Sequence, residues 1–220
     1  MDYKKIRVVG FDLDQTLYPK SPEIDEAIQK YIYAEIAKKK RCSLENAREL
    51  FYSYYPRCSG SKTLVELGFE KTIAKNIVQT ALENAEISKF LVPDPKTIGL
   101  LKKLKEKYYL SLLTGSNEKI AIDKLKKLEI PLEIFDYASF GEVSKSDGTA
   151  FIRQMEFFAK RDSSLKPENY LYVGDRKATD VEVPVSLGMY AVLVNVTTKD
   201  LSLDVPQLHS LSEIRGLLLC

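Results

Sequence analysis

Acidic side chains follow two apolar runs that lie far apart in the sequence. Asp12 and Asp14 come directly after a run that ends at Phe11, whereas Asp175 and Asp180 come just after a second run some 160 residues later. Carboxylates that crowd into one place must take up protons or bind a cation, and hard oxygen ligands select magnesium. If the fold brings these four aspartates together, their side chains predict a Mg²⁺ site.

Two further polar segments could bind a phosphate group. Thr114, Gly115, Ser116 and Asn117 follow another apolar run and precede a predicted helix, and Lys145 lies in a predicted loop. A threonine hydroxyl and the backbone amides at the start of a helix suit phosphoryl oxygens, although such a segment can also be an ordinary helix cap. A lysine would add a fixed positive charge at the same centre. These residue types favour binding of a phosphorylated ligand.

The pair of aspartates in the first segment also has a chemical interpretation. An aspartate can act as a nucleophile and form an acyl phosphate. A second acid two residues further on can protonate the leaving oxygen and then activate water. A lone pair of this kind is a weak signal, because paired acids are common on exposed loops. Its position after a wholly apolar run, together with the other three segments, favours phosphoryl chemistry.

Strands of one parallel sheet would bring the four segments together. Apolar runs predict strands, and helical patterns lie between them; the runs are Ile6–Phe11, Tyr108–Leu113, Phe135–Ala138, Tyr170–Val173 and Tyr190–Val194. Strands that alternate with helices predict a parallel sheet. In open α/β sheets, sites form beyond the carboxyl ends of the strands. The segments can therefore converge despite their separation in the chain.

A helical region interrupts this alternation after the first strand. It begins at Ser21, with Pro22 at the first helical position, and continues to about Ser88 without a strand-like run. We therefore predict an α/β core made of residues 1–18 and 91–220, with a compact helical insertion at 19–90.

The motifs, in this order, resemble those of the haloacid dehalogenase superfamily over nearly the whole chain. The resemblance implies a Rossmann-like core with a helical cap inserted after the first strand. It further implies that Asp12 is the nucleophile and that Asp14 is the general acid and base. The implied metal ligands are the Asp12 carboxylate, the Asp14 backbone carbonyl and Asp175, with Asp180 close by. The implied phosphate-binding residues are Thr114 and Lys145.

Two features depart from the family pattern. Ser146 and Gly148 stand where prolines commonly follow the family lysine, so Lys160 and Lys177 remain weaker alternatives to Lys145. Arg176 stands where a small residue is more usual, and either a substrate contact or a salt bridge would explain it.

The expected activity is Mg²⁺-dependent hydrolysis of a small phosphate monoester, either a nucleotide or the phosphate of a sugar or organic acid. Asp14 separates the chain from dehalogenases, whose leaving halide needs no proton. The string Leu17-Tyr18-Pro19 resembles the pyrimidine 5'-nucleotidase-like branch. A phosphomutase, a 2-haloacid dehalogenase-like hydrolase and a non-catalytic module that binds a phosphorylated ligand are the alternatives.

Some residues of the helical insertion could select the substrate. They are polar or aromatic, namely Tyr52, Tyr54, Tyr55, Arg57, Lys62 and Lys20. The simpler interpretation is core packing for the tyrosines and solvent exposure for the basic residues.

The composition limits the class of protein. The net charge is +2, from 33 basic and 31 acidic residues, so nothing indicates a nucleic-acid partner. No run of 18 apolar residues indicates a membrane span. Three cysteines without metal-type spacing favour a reducing, cytoplasmic setting. We expect a small phosphorylated metabolite as the partner, and either a monomer or a homodimer.

Overall fold

The structure is a computed structural model that describes residues 2–19, 21–55, 60–85 and 87–219, with the side chains of Glu83 and Asn84 left out. Two residues of the substrate-selection hypothesis, Lys20 and Arg57, lie outside the described residues. The chain forms two compact units, one of Met1–Pro19 and Leu91–Cys220 and the other of Lys20–Phe90.

The first unit contains a parallel sheet of five strands. The strands are β1 (Val8–Phe11), β2 (Tyr109–Leu113), β3 (Tyr137–Ser139), β4 (Tyr170–Gly174) and β5 (Tyr190–Leu193), in the order β3-β2-β1-β4-β5. Phe11 at the end of β1 pairs with Leu112 in β2 and with Val173 in β4, so these three strands end at the same level. The predicted α/β fold with a parallel sheet is confirmed.

The first strand begins later than the sequence pattern predicts. Ile6 is fully buried but follows a 3₁₀ turn, Tyr3–Lys5, and its backbone N–H donates to the Tyr3 carbonyl oxygen. This bond ties Ile6 to the turn, and the ladder with β2 begins at Val8. An apolar run indicates that its residues are buried. It does not by itself show at which residue the hydrogen bonding between neighbouring strands begins.

The second unit is helical throughout its described residues. It consists of α1 (Pro22–Lys40), α2 (Leu44–Tyr54), α3 (Gly60–Glu66), α4 (Lys71–Asn84) and a 3₁₀ turn at Ile87–Phe90. Ser21 and Ser43 cap the first two helices, because their hydroxyls accept hydrogen bonds from the backbone N–H groups of Ile24 and Asn46.

The helical unit has its own apolar core. Buried side chains of all four helices form it, including Ile36, Phe51, Leu64 and Ile77. Tyr54 and Tyr55 pack against this core, and the ring of Tyr55 stacks on Phe51 at a centroid distance of 4.6 Å. Tyr52 is 40% exposed and donates its hydroxyl to Gln29 Oε1. The packing interpretation therefore holds for Tyr54 and Tyr55, and Tyr52 presents its ring partly to solvent.

The remaining helices flank the sheet of the first unit. They are α5 (Pro95–Lys105), α6 (Glu118–Lys127), α7 (Thr149–Ala159), α8 (Val183–Ser186) and α9 (Arg215–Leu218). The chain between β4 and α8 differs from the ordinary helix that the sequence predicts, because Lys177–Glu182 forms a π-helix. Pro184 follows this segment and has no backbone N–H, so it cannot continue a regular helical ladder.

Within the described residues, no helix combines the length and the apolar character that crossing a bilayer requires.

Candidate active site

Asp12 lies at the carboxyl end of β1, at the centre of the sheet. Its backbone N–H donates to the Val173 carbonyl oxygen at 2.9 Å, so the pairing with β4 extends one residue past the strand. The residue is 5% exposed. Its carboxylate therefore leaves the sheet from a rigid, largely buried position between two neighbouring strand ends.

Lys145 forms an ion pair with the Asp12 carboxylate. The distance from Lys145 Nζ to Asp12 Oδ1 is 2.6 Å, and Nζ also lies 2.9 Å from Asp180 Oδ1. The other two candidate lysines lie elsewhere: Lys177 pairs with Asp200 at 2.7 Å, and Lys160 is exposed at the end of α7. Of the three, it is Lys145 that lies beside the proposed nucleophile.

The loop that carries Lys145 forms a hydrogen-bonded turn, although it lacks the prolines that are common there in the family. The N–H of Gly148 donates to the Lys145 carbonyl oxygen at 3.1 Å, and the N–H of Ala150 donates to the Ser144 carbonyl oxygen at 2.9 Å. Gly148 has a φ of 85°, a conformation that suits glycine. A hydrogen-bonded turn therefore positions Lys145 in this chain.

Tyr172 in β4 supports Lys145 from within the core. Its hydroxyl donates to the Leu113 carbonyl oxygen at 2.8 Å and accepts from Lys145 Nζ at 3.3 Å. The residue is fully buried. Burial alone would lower the pKa of Lys145, but the neighbouring Asp12, Tyr172 and Asp180 raise it well above its usual value. Lys145 is therefore a fixed positive charge.

Asp175 and Asp180 follow β4. Asp180 is completely buried, and its Oδ2 accepts a hydrogen bond from the backbone N–H of Arg176 at 3.0 Å. The π-helix of residues 177–182 turns Asp180 back toward the strand end. Asp175 Oδ1 is buried and has no hydrogen-bond partner among the described residues. Arg176 exposes its side chain to solvent.

Three of these carboxylates fit a divalent cation. Asp12, Asp175 and Asp180 each offer one oxygen, and the three oxygens lie within 4.8 Å of one another. Burial raises the pKa of Asp175 to about 6, against an opposing effect of the Arg176 charge, and burial is also the main cause that raises the pKa of Asp12. A bound cation would relieve this cost and would give the unpaired Asp175 Oδ1 a partner.

The segment of residues 114–117, which follows β2, forms hydrogen bonds within itself and with the start of α6. Thr114 is buried, and its Oγ1 accepts a hydrogen bond from the backbone N–H of Ser116 at 3.1 Å. Asn117 caps α6, because its Oδ1 accepts from the N–H of Ile120 at 2.9 Å. Gly115 is exposed and faces open space. Of the four residues in this segment, Thr114 and Ser116 thus contact each other and Asn117 caps the following helix.

The Asp14 carboxylate lies outside the cluster of three acids and contacts a different set of groups. The Tyr18 hydroxyl donates to its Oδ1 at 2.5 Å, and the Ser116 hydroxyl donates to its Oδ2 at 2.8 Å. The ammonium group of Lys124 forms an ion pair with Oδ1. Burial would raise the pKa of Asp14, but the charge and hydrogen bonds of Lys124, with those of Tyr18 and Ser116, lower it.

Sequence reasoning missed Lys124, although the chain carries a signal for it. Ala121, Lys124, Leu125 and Leu128 recur at helical spacing and are all buried, so the lysine occupies a position on the apolar face of α6. Lysine is rarely buried without a partner. A lysine at such a position indicates a buried anionic partner, here Asp14.

Comparison with known proteins gives one family and many similar structures. The family model for haloacid dehalogenase-like hydrolases matches residues 6–188. The fold is similar to that of a HAD phosphatase from Thermococcus onnurineus, with 24% identity, a TM-score of 0.68, and coverage of 97% of this chain and 98% of that one.

Two further solved structures have the same fold. A haloacid dehalogenase-like family protein from Streptococcus pneumoniae has 18% identity and a TM-score of 0.66, over 97% of this chain and 99% of that one. A 2-haloacid dehalogenase from Pseudomonas syringae has 19% identity and a TM-score of 0.57, over 97% and 98% of the two chains. Proteins with different activities therefore share this fold.

Proposed function

The chain belongs to the haloacid dehalogenase-like hydrolases, and from this premise we propose that it is a Mg²⁺-dependent phosphohydrolase of small phosphate monoesters. The observation that carries the proposal is the second acid, Asp14, two residues after the buried Asp12 and held by hydrogen bonds next to it. A leaving alkoxide needs a proton and a leaving halide does not. An acid at this position therefore favours phosphate esters over haloacids.

In the first step, an oxygen of the Asp12 carboxylate attacks phosphorus. The bond between phosphorus and the ester oxygen breaks, and an aspartyl phosphate forms on Asp12. Asp14 gives a proton to the departing oxygen, which leaves as an alcohol. Lys145 lies 2.6 Å from Asp12 Oδ1, so its positive charge lies beside the phosphoryl group in both ground and transition states.

In the second step, water attacks the phosphorus of the aspartyl phosphate. Asp14, now deprotonated, accepts a proton from that water. The bond between phosphorus and Asp12 breaks, so inorganic phosphate leaves and the Asp12 carboxylate is restored. The lowered pKa of Asp14 favours this second role, since it favours the carboxylate form.

Asp12 and Asp175 would hold the Mg²⁺ ion, with Asp180 beside them and the Asp14 backbone carbonyl as the family resemblance implies. When bound, the cation would screen the phosphate from the surrounding carboxylates and offset charge in the transition state. The Thr114 hydroxyl and the open face of Gly115 are the proposed contacts for the phosphoryl oxygens.

The alternatives have less support. A dehalogenase would have no use for the proton of Asp14, and a phosphomutase would have to keep water from the aspartyl phosphate. A binding module without activity would not need the buried pair of Asp12 and Lys145 beside two further acids. The solved structures do not separate these possibilities, because they include both a HAD phosphatase and a 2-haloacid dehalogenase.

Phosphate release from p-nitrophenyl phosphate, with Mg²⁺ and with EDTA, tests the proposal. We expect activity only with Mg²⁺, and a loss of roughly 10³-fold or more in Asp12→Asn, because that change removes the nucleophile. Asp123→Asn, an exposed acid on α6, is the matched control. Chloride release from 2-chloropropionate without phosphatase activity would instead support a dehalogenase. A panel of nucleotides, sugar phosphates and phosphorylated organic acids would then identify the substrate.

A further inference from the structure

Lys124 places a buried positive charge against Asp14. Its side chain is 1% exposed, and its ammonium group contacts Asp14 Oδ1 and lies 2.9 Å from Ser116 Oγ. The Ser116 hydroxyl in turn donates to Asp14 Oδ2 at 2.8 Å. The three side chains therefore form a closed ring of hydrogen bonds, which fixes their relative positions.

Tyr18 adds a fourth member on the other side of the carboxylate. Its hydroxyl lies 2.5 Å from Asp14 Oδ1, and the residue is 5% exposed. We call Lys124, Ser116 and Tyr18 the Asp14 clamp. All of its members lie in the first unit, on the loop after β1, on the turn after β2 and on α6.

The clamp leaves the two oxygens of Asp14 in different states. A carboxylate has about four acceptor positions, two on each oxygen. Oδ1 accepts from both Lys124 and Tyr18, so its positions are filled, whereas Oδ2 accepts from Ser116 and keeps one position. The Asp14 side chain is 28% exposed, so burial does not close the carboxylate as a whole off from a ligand.

We propose that Lys124 is a positioning residue for Asp14, and that the clamp makes Oδ2 the atom through which Asp14 exchanges its proton. This inference rests on the phosphohydrolase function proposed above. The ammonium group does not contact the substrate. It acts by holding the Asp14 carboxylate in one orientation, because a misplacement of about 1 Å at a reacting group can cost about 10²-fold in rate.

The test is a kinetic double-mutant cycle with p-nitrophenyl phosphate and Mg²⁺. Lys124→Met keeps most of the length of the side chain and removes its charge. We expect it to lower kcat by about 10- to 100-fold with KM changed less than about threefold, since the substrate contacts remain. In the Asp14→Asn background the same substitution should lower kcat by less than about threefold, because a residue that acts through Asp14 has nothing left to position.

Matched variants separate the clamp from general effects of a lysine on α6. Lys127→Met changes an exposed lysine of the same helix and should leave kcat unchanged. Tyr18→Phe and Ser116→Ala each remove one donor with little change in volume, and each should also be non-additive with Asp14→Asn. These two variants decide the question if Lys124→Met proves too unstable to assay.

The outcomes distinguish the two proposals. Wild-type protein without phosphatase activity would overturn the proposed function, and with it the catalytic role of the clamp. An active wild type in which Lys124→Met is harmless, or lowers kcat by the same factor with and without Asp14, would overturn the clamp alone. In that case the Lys124–Asp14 pair would be an element of stability.

Discussion

The Asp180 side chain occupies the space in which a Cβ atom on Gly174 would stand. An added Cβ would lie 2.5 Å from Asp180 Cγ, and Asp180 is completely buried with Oδ1 bound to Lys145 at 2.9 Å. Strand β4 therefore ends in glycine because any side chain at that position would displace an acid of the proposed metal site.

We predict that Gly174→Ala disrupts the site. The new methyl group must move Asp180 or the strand end, and overpacking of this kind costs about 1–3 kcal/mol of stability. Displacement of Asp180 should weaken Mg²⁺ binding by roughly 10- to 100-fold. Mg²⁺ titration of phosphatase activity and urea unfolding measure the two effects.

Gly99→Ala is the control for this substitution. Gly99 lies within α5, and a Cβ there meets no atom within 4 Å. Alanine should therefore stabilise the helix by about 0.5–1 kcal/mol and leave Mg²⁺ dependence unchanged. Equal effects of the two substitutions on Mg²⁺ affinity would contradict the role given to Gly174.

Mg²⁺ should stabilise the folded protein through Asp175. Asp175 Oδ1 has no hydrogen-bond partner among the described residues, and burial raises the pKa of this carboxyl group to about 6. A ligand at 100 times its Kd stabilises the folded state by about 2.7 kcal/mol. We expect the melting temperature to rise with Mg²⁺ concentration and to fall back when EDTA is added.

Asp175→Asn should abolish most of that shift. Without Mg²⁺ the variant should be at least as stable as the wild type, because it replaces a carboxylate whose pKa is raised by burial with a neutral amide of similar shape. Asp123→Asn should keep the full shift, since Asp123 is exposed on α6. A shift of wild-type size in Asp175→Asn would place the cation elsewhere.

Removal of Lys145 should harm both stability and activity. Its side chain is 11% exposed and pairs with two acids, so Lys145→Met would leave two buried carboxylates without this positive charge. We expect a loss of about 3–5 kcal/mol in urea unfolding without metal, and a loss of phosphatase activity when Mg²⁺ is present.

Lys160→Met is the matched test of the alternative lysine. Lys160 is exposed at the C-cap of α7, so the substitution should change the unfolding free energy by less than about 0.5 kcal/mol and leave activity intact. Loss of activity in the Lys160 variant, with retention in Lys145→Met, would reverse the assignment.

The Tyr172 hydroxyl should contribute more to stability than that of Tyr170 in the same strand. Tyr172 donates to Leu113 at 2.8 Å and accepts from Lys145, whereas the Tyr170 hydroxyl lies 3.4 Å from its acceptor, the Met155 carbonyl oxygen. Tyr172→Phe leaves a buried carbonyl unsatisfied, so we expect a loss of about 1–3 kcal/mol.

Tyr170→Phe is the internal comparison for this effect. It should cost less than about 1 kcal/mol, because its hydrogen bond is long. Urea unfolding of both variants gives the difference directly. Equal losses would mean that the ring packing common to both residues, and not the hydrogen bond of Tyr172, is what the substitutions disturb.

Much of the core architecture was predictable from local patterns. Buried strands of a parallel sheet appear in a sequence as continuous apolar runs. The runs that end at Phe11, Leu113 and Val173 form β1, β2 and β4. A helix start was predictable where a serine cap precedes the first turn, as at Ser21. The start of β1 was misplaced, because burial of Ile6 gives no information on ladder hydrogen bonds.

The candidate site was predictable only in part. The order of the polar segments after the strands led to Asp12, Lys145, Asp175 and Asp180, and the structure brings these residues together. The role of residues 114–117 was harder to predict. A hydroxyl or amide that caps a helix has the same sequence signature as one that binds phosphate. Asn117 is a cap in the structure.

By itself, the sequence determined the parallel α/β sheet and the residues at its carboxyl edge, because apolar runs and their polar ends are local patterns. The tertiary structure alone decided the partners of those residues. It paired Lys124 with Asp14, which lie 110 positions apart, and it turned Asp180 back onto Gly174 through a π-helix. The helical spacing of Lys124 indicates a buried anionic partner, but only the meeting of separate elements in space identifies that partner as Asp14.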